Sequence, residues 1–302
     1  MKYDFVAGTG GIGAGEIFRL VGNATLGREE SRSAELTGYR DYCKLHIILS
    51  YTGRLIGGKI PVFACGRVGN DDRGERLLCE MRAVNIRTDY VRVSPEPTKY
   101  SVCFLYPNGD GGNITSVNDA CGKVSGEELK RDIEEITRRI GGRGIVLGAP
   151  EVPLAARLAF LKRARELGHT TVSSVLCDEA TEFLSSDGAA VSDIIAVNSD
   201  EIRALGGGNE KAAEEKLFSQ NPKLKLIVTR GKAGAEIADG NGRIFVKATE
   251  TTVVSTAGAG DALLGGTIAR LGEGENLEKA ILTGRDLAAI AVASPHTIPD
   301  EI

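Results

Sequence analysis

Histidine is scarce in this 302-residue chain: only His46, His169 and His296 occur, and no HExxH pairing exists. A histidine-rich metal site is therefore not expected. The six cysteines, Cys43, Cys65, Cys79, Cys103, Cys121 and Cys177, form no CxxC pair. That excludes a zinc knuckle and a disulfide framework, and it reads as the usage of a reduced, cytoplasmic protein. In that setting the sequons at Asn23 and Asn113 are chance matches. No apolar run approaches the ~18–20 residues that cross a bilayer. The opening MKYDFVAGTGG lacks the long apolar core of a signal peptide. Neither sign of charge dominates. The 37 basic and 41 acidic residues are interspersed, and the formal net charge is −4. Neither nucleic acid nor membrane is an expected partner.

Hydrophobic residues make up 42% of the chain and charged residues 26%, close to globular averages. The length allows two domains or one large α/β domain. With no repeat and no low-complexity linker, a single domain over 1–302 is expected. Glycine is the unusual component, at 39 residues, about 13% against a typical ~7%. The glycines cluster at the ends of apolar runs, where tight turns or close approach of backbone to a ligand need them.

Strand-like and helix-like segments alternate along the chain. Residues 3–7, 62–66, 144–149, 170–176, 193–198 and 225–231 read as strands. Residues 41–56, 72–84 and 153–168 read as helices, as do 277–294. SGEELKRDIEEITRRI (125–140) opens with Ser125 and Glu128 in capping-box spacing. Residues 100–106 and 113–117 flank the turn PNGDGG as a hairpin, and 235–247 form another around Asp239 to Gly242. The pattern predicts an α/β fold: a doubly wound, mostly parallel sheet with helices on both faces.

Two glycine loops compete for a phosphate. Gly8-Thr-Gly10-Gly11-Ile-Gly13 fits GxGxxG after a strand, which would suit an NAD(P)-dependent Rossmann oxidoreductase. The segment after it is broken by Gly15, Gly22 and Gly27, however, and no strand precedes Glu29 and Glu30. The second loop, Ser255-Thr256-Ala257-Gly258-Ala259-Gly260-Asp261, follows Val253-Val254 as a strand end and opens an Ala/Leu/Gly-rich helix. Its small residues let backbone N–H groups converge on an anion. Asp261 at the mouth of such a site repels a phosphate that is merely bound. It makes sense as a base that takes a proton from an attacking hydroxyl. An acid favoured in the first helical turn by the macrodipole is the bland alternative.

STAGAGD resembles the D-T-x-G-A-G-D loop of the ribokinase-type, or PfkB, carbohydrate kinases. Three further motifs match in order: VGNDDRGERLL (68–78), DIIAVNSDE (193–201) and LIVTRGKAG (226–234). The resemblance runs from about residue 53 to the C-terminus. It implies a ribokinase-like α/β domain with a small β lid, here in segments of about 10–40 and 98–120. It implies an enzyme that transfers the ATP γ-phosphate to an alcohol of a sugar or sugar-like small molecule. Carried over, Asp261 is the base, and the amides of Ala257, Gly258, Ala259 and Gly260 hold the transferring group. Asn198 and Glu201 organise Mg2+ through water. Thr229, Arg230, Gly231, Gly234 and Thr256 lie along the nucleotide.

Gly10, Gly11, Asn70 and Asp71 structure the acceptor side, and Asp41, Lys44 and His46 fall roughly where the family has its GGxxxN motif. Lys44 or His46 as a cation would suit an acceptor bearing phosphate or carboxylate; a polar helix start with a satisfied histidine is the alternative. Ser255 stands where the family has Asp at a monovalent-cation site, Ala257 where it often has Thr, and Arg285 where Asn often meets the nucleoside. A homodimer through the lid and a non-catalytic nucleotide- or sugar-binding relative both remain open.

Overall fold

The computed structural model describes residues 2–108 and 111–302. In chain order the elements begin with β1 (Phe5–Thr9), β2 (Gly13–Leu20), β3 (Ala34–Tyr42), α1 (Lys44–Ile56), β4 (Val62–Gly69), α2 (Asp72–Ala83), β5 (Ile86–Ser94), β6 (Lys99–Leu105), β7 (Gly111–Thr115), α3 (Gly126–Ile140), β8 (Gly144–Gly148), α4 (Leu154–Glu166) and β9 (Thr170–Ser174). They continue with α5 (Ala180–Ser185), β10 (Ile194–Asn198), α6 (Ser199–Leu205), α7 (Glu210–Gln220), β11 (Lys225–Thr229), β12 (Ala235–Asp239), β13 (Gly242–Val246), α8 (Ala259–Glu273) and α9 (Leu277–Val292).

Among the described residues, nine strands form one sheet in the order β13-β12-β11-β10-β9-β8-β1-β4-β5. From β11 to β5 every pairing is parallel, and β12 and β13 close one edge as an antiparallel hairpin. β1 and β8 are buried along their whole length, as strands covered on both faces must be. Val6, Leu49, Ile145 and Ile268 pack on one face, and Phe5, Phe63, Val146 and Phe160 on the other. This is the doubly wound architecture expected from the alternating pattern. Among the described residues no helix is long and apolar enough to cross a membrane, and all six cysteines are free thiols.

A second sheet, β3-β2-β6-β7, supplies the lid. Its strands lie between residues 13 and 42 and between 99 and 115. Three readings are corrected here. GAGEIFRL, taken as part of a broken segment, is β2, and it pairs parallel to β6 from Gly13↔Lys99 to Arg19↔Leu105. Cβ atoms at position 13 would stand 2.8 Å from Cys43 Sγ and 2.7 Å from the Lys99 carbonyl, so the close strand packing requires glycine there. Asp41 belongs to β3, not to the start of α1. Val253 and Val254 end no strand; they lie exposed in the irregular segment before α8. In the 100–117 hairpin, Gly109 and Asp110 of the expected turn lie outside the described residues.

Candidate active site

Phosphate-loop geometry begins with Gly258. It caps α8 with φ 75, a left-handed conformation that favours glycine. The 15-residue helix then points its first amides outward, without intrahelical partners. Thr256, Ala257 and Gly260 are exposed, whereas Asp261 in the first turn is buried. The Ala257 amide donates to Ser255 Oγ at 3.2 Å. The loop spends that amide on itself, and the Ala259 amide donates to the Thr256 carbonyl at 3.4 Å, so the set left for an anion is narrower than expected and rests on Gly258, Gly260 and Asp261. The loop is anchored where the Val254 amide donates to the Val292 carbonyl at 2.7 Å.

A cleft of about 860 Å³ opens over this loop. It is lined by Asn198, Glu201, Thr229, Gly231 and Gly234 from the strand ends, by Thr256 and Gly258 to Asp261, and by Lys44 from the first turn of α1. Its position at the carboxyl ends of β10 and β11, which pair Asn198↔Thr229, is where open α/β sheets place ligands. Asn198 caps α6: its Oδ1 accepts from the Asp200 and Glu201 amides at 2.8 and 2.9 Å, and Glu201 Oε2 accepts from the Asn198 amide at 2.8 Å. The motif is thus a capping box that faces the cleft. Arg230 turns away. Its guanidinium pairs with Glu210 and Glu236 at 2.8 Å and does not line the cleft, so only the backbone of position 230 stays near it.

Lys44 sits among three carboxylates. Its Nζ lies 3.5 Å from Asp261 Oδ1, and its amide donates to Glu151 Oε2 at 2.9 Å. Asp261, and Glu201 more weakly, hold the Lys44 ammonium above the usual lysine range. Burial pushes Asp261 and Glu201 upward, and Lys44 opposes both shifts. Burial pushes Glu151 up to about 7. Glu151 also adopts φ 74, an uncommon backbone for a non-glycine residue. A side chain at Gly11 would collide with its carboxylate. Sequence reasoning missed Glu151. The available signal was an acid directly after a buried strand, flanked by Pro150 and Val152-Pro153, at the carboxyl edge of the sheet.

The remaining acceptor-side candidates separate. Asp41 is half-buried on lid strand β3, where burial raises its pKa and Cys103 Sγ lies at 3.5 Å. His46 is buried on another face of α1, stacked on Tyr42 at 4.5 Å between centroids. Burial lowers its pKa to about 3, and its Nδ1 finds no partner among the described residues. It is a neutral core ring and supplies no cation to an acceptor. Asp71 caps α2 through the Gly74 amide at 2.8 Å and ties the lid root through Thr98 at 2.7 and 2.8 Å. Asn70 is exposed in the turn beside it. Gly10 and Gly11 pack against Ala149 and Glu151.

GTGGIG lacks the strand–loop–helix frame of a dinucleotide loop. β1 leads into β2, whereas a dinucleotide loop runs from its strand straight into a helix.

The description "pfkB family carbohydrate kinase" matches residues 48–302. Bifunctional protein HldE of Klebsiella pneumoniae is 25% identical over 238 residues, which is 77% of this chain and 48% of that protein. The chain thus spans about half the length of the HldE proteins it matches. Ribokinase of Bacillus subtilis is 23% identical over 77% of this chain and 75% of its own. Among solved structures, ribokinase of Thermotoga maritima aligns with a TM-score of 0.78 at 19% identity, over 97% of this chain and 96% of its own. Arabidopsis thaliana ribokinase complexed with ribose and ATP aligns with a TM-score of 0.73 at 18% identity, over 96% and 93%. These two likenesses show the ribokinase-like fold.

Proposed function

The chain belongs to the pfkB family of carbohydrate kinases, and from that premise we propose that it transfers the γ-phosphate of ATP to a hydroxyl of a sugar or sugar-like acceptor, with Asp261 as general base. The observation that carries this reading is a buried carboxylate in the first turn of α8, beside a left-handed glycine cap and the amides of the helix N-terminus. Such amides favour an anion. The carboxylate beside them is useful when it has a proton to accept. Phosphoryl transfer needs little covalent work from the protein, so in-line positioning and fixed donors dominate. The amides at Gly258 and Gly260 would hold the transferring group. Lys44 opposes the upward shift that burial imposes on Asp261, in the direction a base requires.

Mg2+ takes one or two carboxylates and keeps several waters. The cleft suits it, because Glu201 is a buried carboxylate there and no His or Cys competes. Glu201, with Asn198 through water, would hold the ion, which when bound would neutralise phosphate charge. Thr229, Gly231, Gly234 and Thr256 flank the nucleotide. The lid strands, with Asp41 and Glu151, enclose the acceptor and exclude competing water.

The test is Mg2+-dependent ADP formation from ATP over a panel of sugars, sugar phosphates, sugar acids, nucleosides and polyols. Asp261→Asn should lower kcat by the 10²–10⁴-fold typical of a lost general base while nucleotide affinity stays within a few fold. A variant that keeps more than about a tenth of wild-type turnover refutes the base assignment.

A further inference from the structure

The cleft wall carries chemistry that the phosphate loop does not use. Val253, Ala288, Ala289 and Val292 give it an apolar part. Because the loop is anchored at the Val292 carbonyl, Arg285 lies two turns back along α9, about 10 Å away at 1.5 Å per residue. Arg285 lines the cleft and Asp286 does not. The guanidinium is held in place: Nε donates to Asp286 Oδ1 at 2.9 Å, Nη2 lies 2.8 Å from the same oxygen, and Thr249 Oγ1 donates to that oxygen at 2.7 Å. The arginine side chain keeps 30% exposure, so its remaining N–H groups are free of that pairing.

An arginine offers donors only. Adenine presents the N7 acceptor beside an N6 amino donor, whereas guanine presents O6 and N7, two acceptors side by side. The guanidinium fork fits the second arrangement bidentately and sets donor against donor in the first. The side chains that match adenine bidentately are Asn and Gln. Glu250 also lines the cleft, 3.6 Å from Lys247 Nζ, and is an acceptor for the amino group that guanine adds.

We propose that Arg285 is a specificity-determining residue for the nucleotide base, and that the chain accepts 6-oxopurine nucleoside triphosphates, GTP and ITP, at least as well as ATP. This rests on the reading that nucleotide phosphates dock at the α8 N-terminus.

Calorimetric titration of ADP, GDP and IDP with Mg2+ into wild type, Arg285→Asn and Arg285→Lys tests it without requiring an acceptor. Wild type should bind GDP and IDP as tightly as ADP or more so. Arg285→Asn should move the GDP-to-ADP preference about tenfold toward ADP, equivalent to about 1.4 kcal/mol. Arg285→Lys keeps the charge but loses the fork, and should move it the same way. Tighter binding of ADP than of both GDP and IDP to wild type, or a preference that neither variant moves, overturns the proposal. If no nucleotide binds, this inference and the docking reading fall together. If the predicted preferences appear without turnover on any acceptor, the base assignment at Arg285 stands and the kinase reading fails.

Discussion

Replacing Glu151 with Gln should make the protein more stable at alkaline pH than at acidic pH, relative to wild type. Burial pushes the Glu151 carboxyl up to about 7 from an unperturbed 4.5. In the unfolded chain it loses its proton near 4.5, so between these values the native state holds a proton that the unfolded state has released. The stability this contributes is fully present below pH 4.5 and is lost as pH rises through 7. Each pH unit between the two values is worth about 1.36 kcal/mol. The full loss is therefore about 3 kcal/mol, of which about 2.5 kcal/mol falls between pH 5 and pH 8. Glu151→Gln removes the titration while its amide oxygen can still accept from the Lys44 N–H that Oε2 now binds. At roughly 2 °C per kcal/mol for a chain of this size, the variant's Tm advantage should grow by about 5 °C from pH 5 to pH 8. Parallel thermal melts at the two pH values measure it. An advantage that is the same at both, or a variant less stable than wild type at pH 8, would refute the account of Glu151 as a strained buried acid.

Two further substitutions probe the loop and the helix that frame the cleft. Gly258→Ala should destabilise by about 1–3 kcal/mol, the cost of a strained backbone position, because φ is 75 and the new Cβ would stand 3.0 Å from Thr297 Cβ; nucleotide affinity should fall with it, and an unchanged melting curve contradicts the rigid-loop reading. His46→Phe should leave acceptor KM unaltered and stability equal or raised by up to about 1 kcal/mol, since a buried ring nitrogen without a partner is removed; a raised KM for the best acceptor would return His46 to the site.

The catalytic half was legible because its signals are local. Buried parallel strands announce themselves as continuous apolar runs, and α8 follows a run of small residues that suit few other structures. Asn198 and Glu201, expected to organise Mg2+ through water, cap α6 in the structure, which leaves both in the cleft wall. Arg230 was misjudged for a physical reason. Its sequence neighbourhood marks the backbone turn at Gly231, whereas its side chain answers to Glu210 and Glu236, which are brought to it from α7 and β12.

The acceptor half is a product of distant contacts, and local periodicity hides it. β3 reads AELTGYRDY, polar and half exposed, because a lid strand owes its form to pairing with β2 and not to a buried face. Lys44 meets Asp261 across 217 residues, and Asp41 meets Cys103 across 62. Their charges can be judged only after those meetings. A lone lysine at a helix start suggests a cation ready for an anionic acceptor. Placed against Asp261, Glu201 and Glu151, the same lysine is already committed, and the buried group it joins carries more acid than base. Capture of an acceptor phosphate or carboxylate by Lys44 would strip Asp261 of its partner and raise the base's pKa further, against the needs of the transfer. The arrangement therefore favours acceptors whose recognition does not depend on Lys44, and in the acceptor panel neutral sugars, nucleosides and polyols should outperform their phosphorylated and acidic counterparts. A sugar phosphate or sugar acid as the best acceptor, with its KM raised in Lys44→Met, would overturn this charge argument.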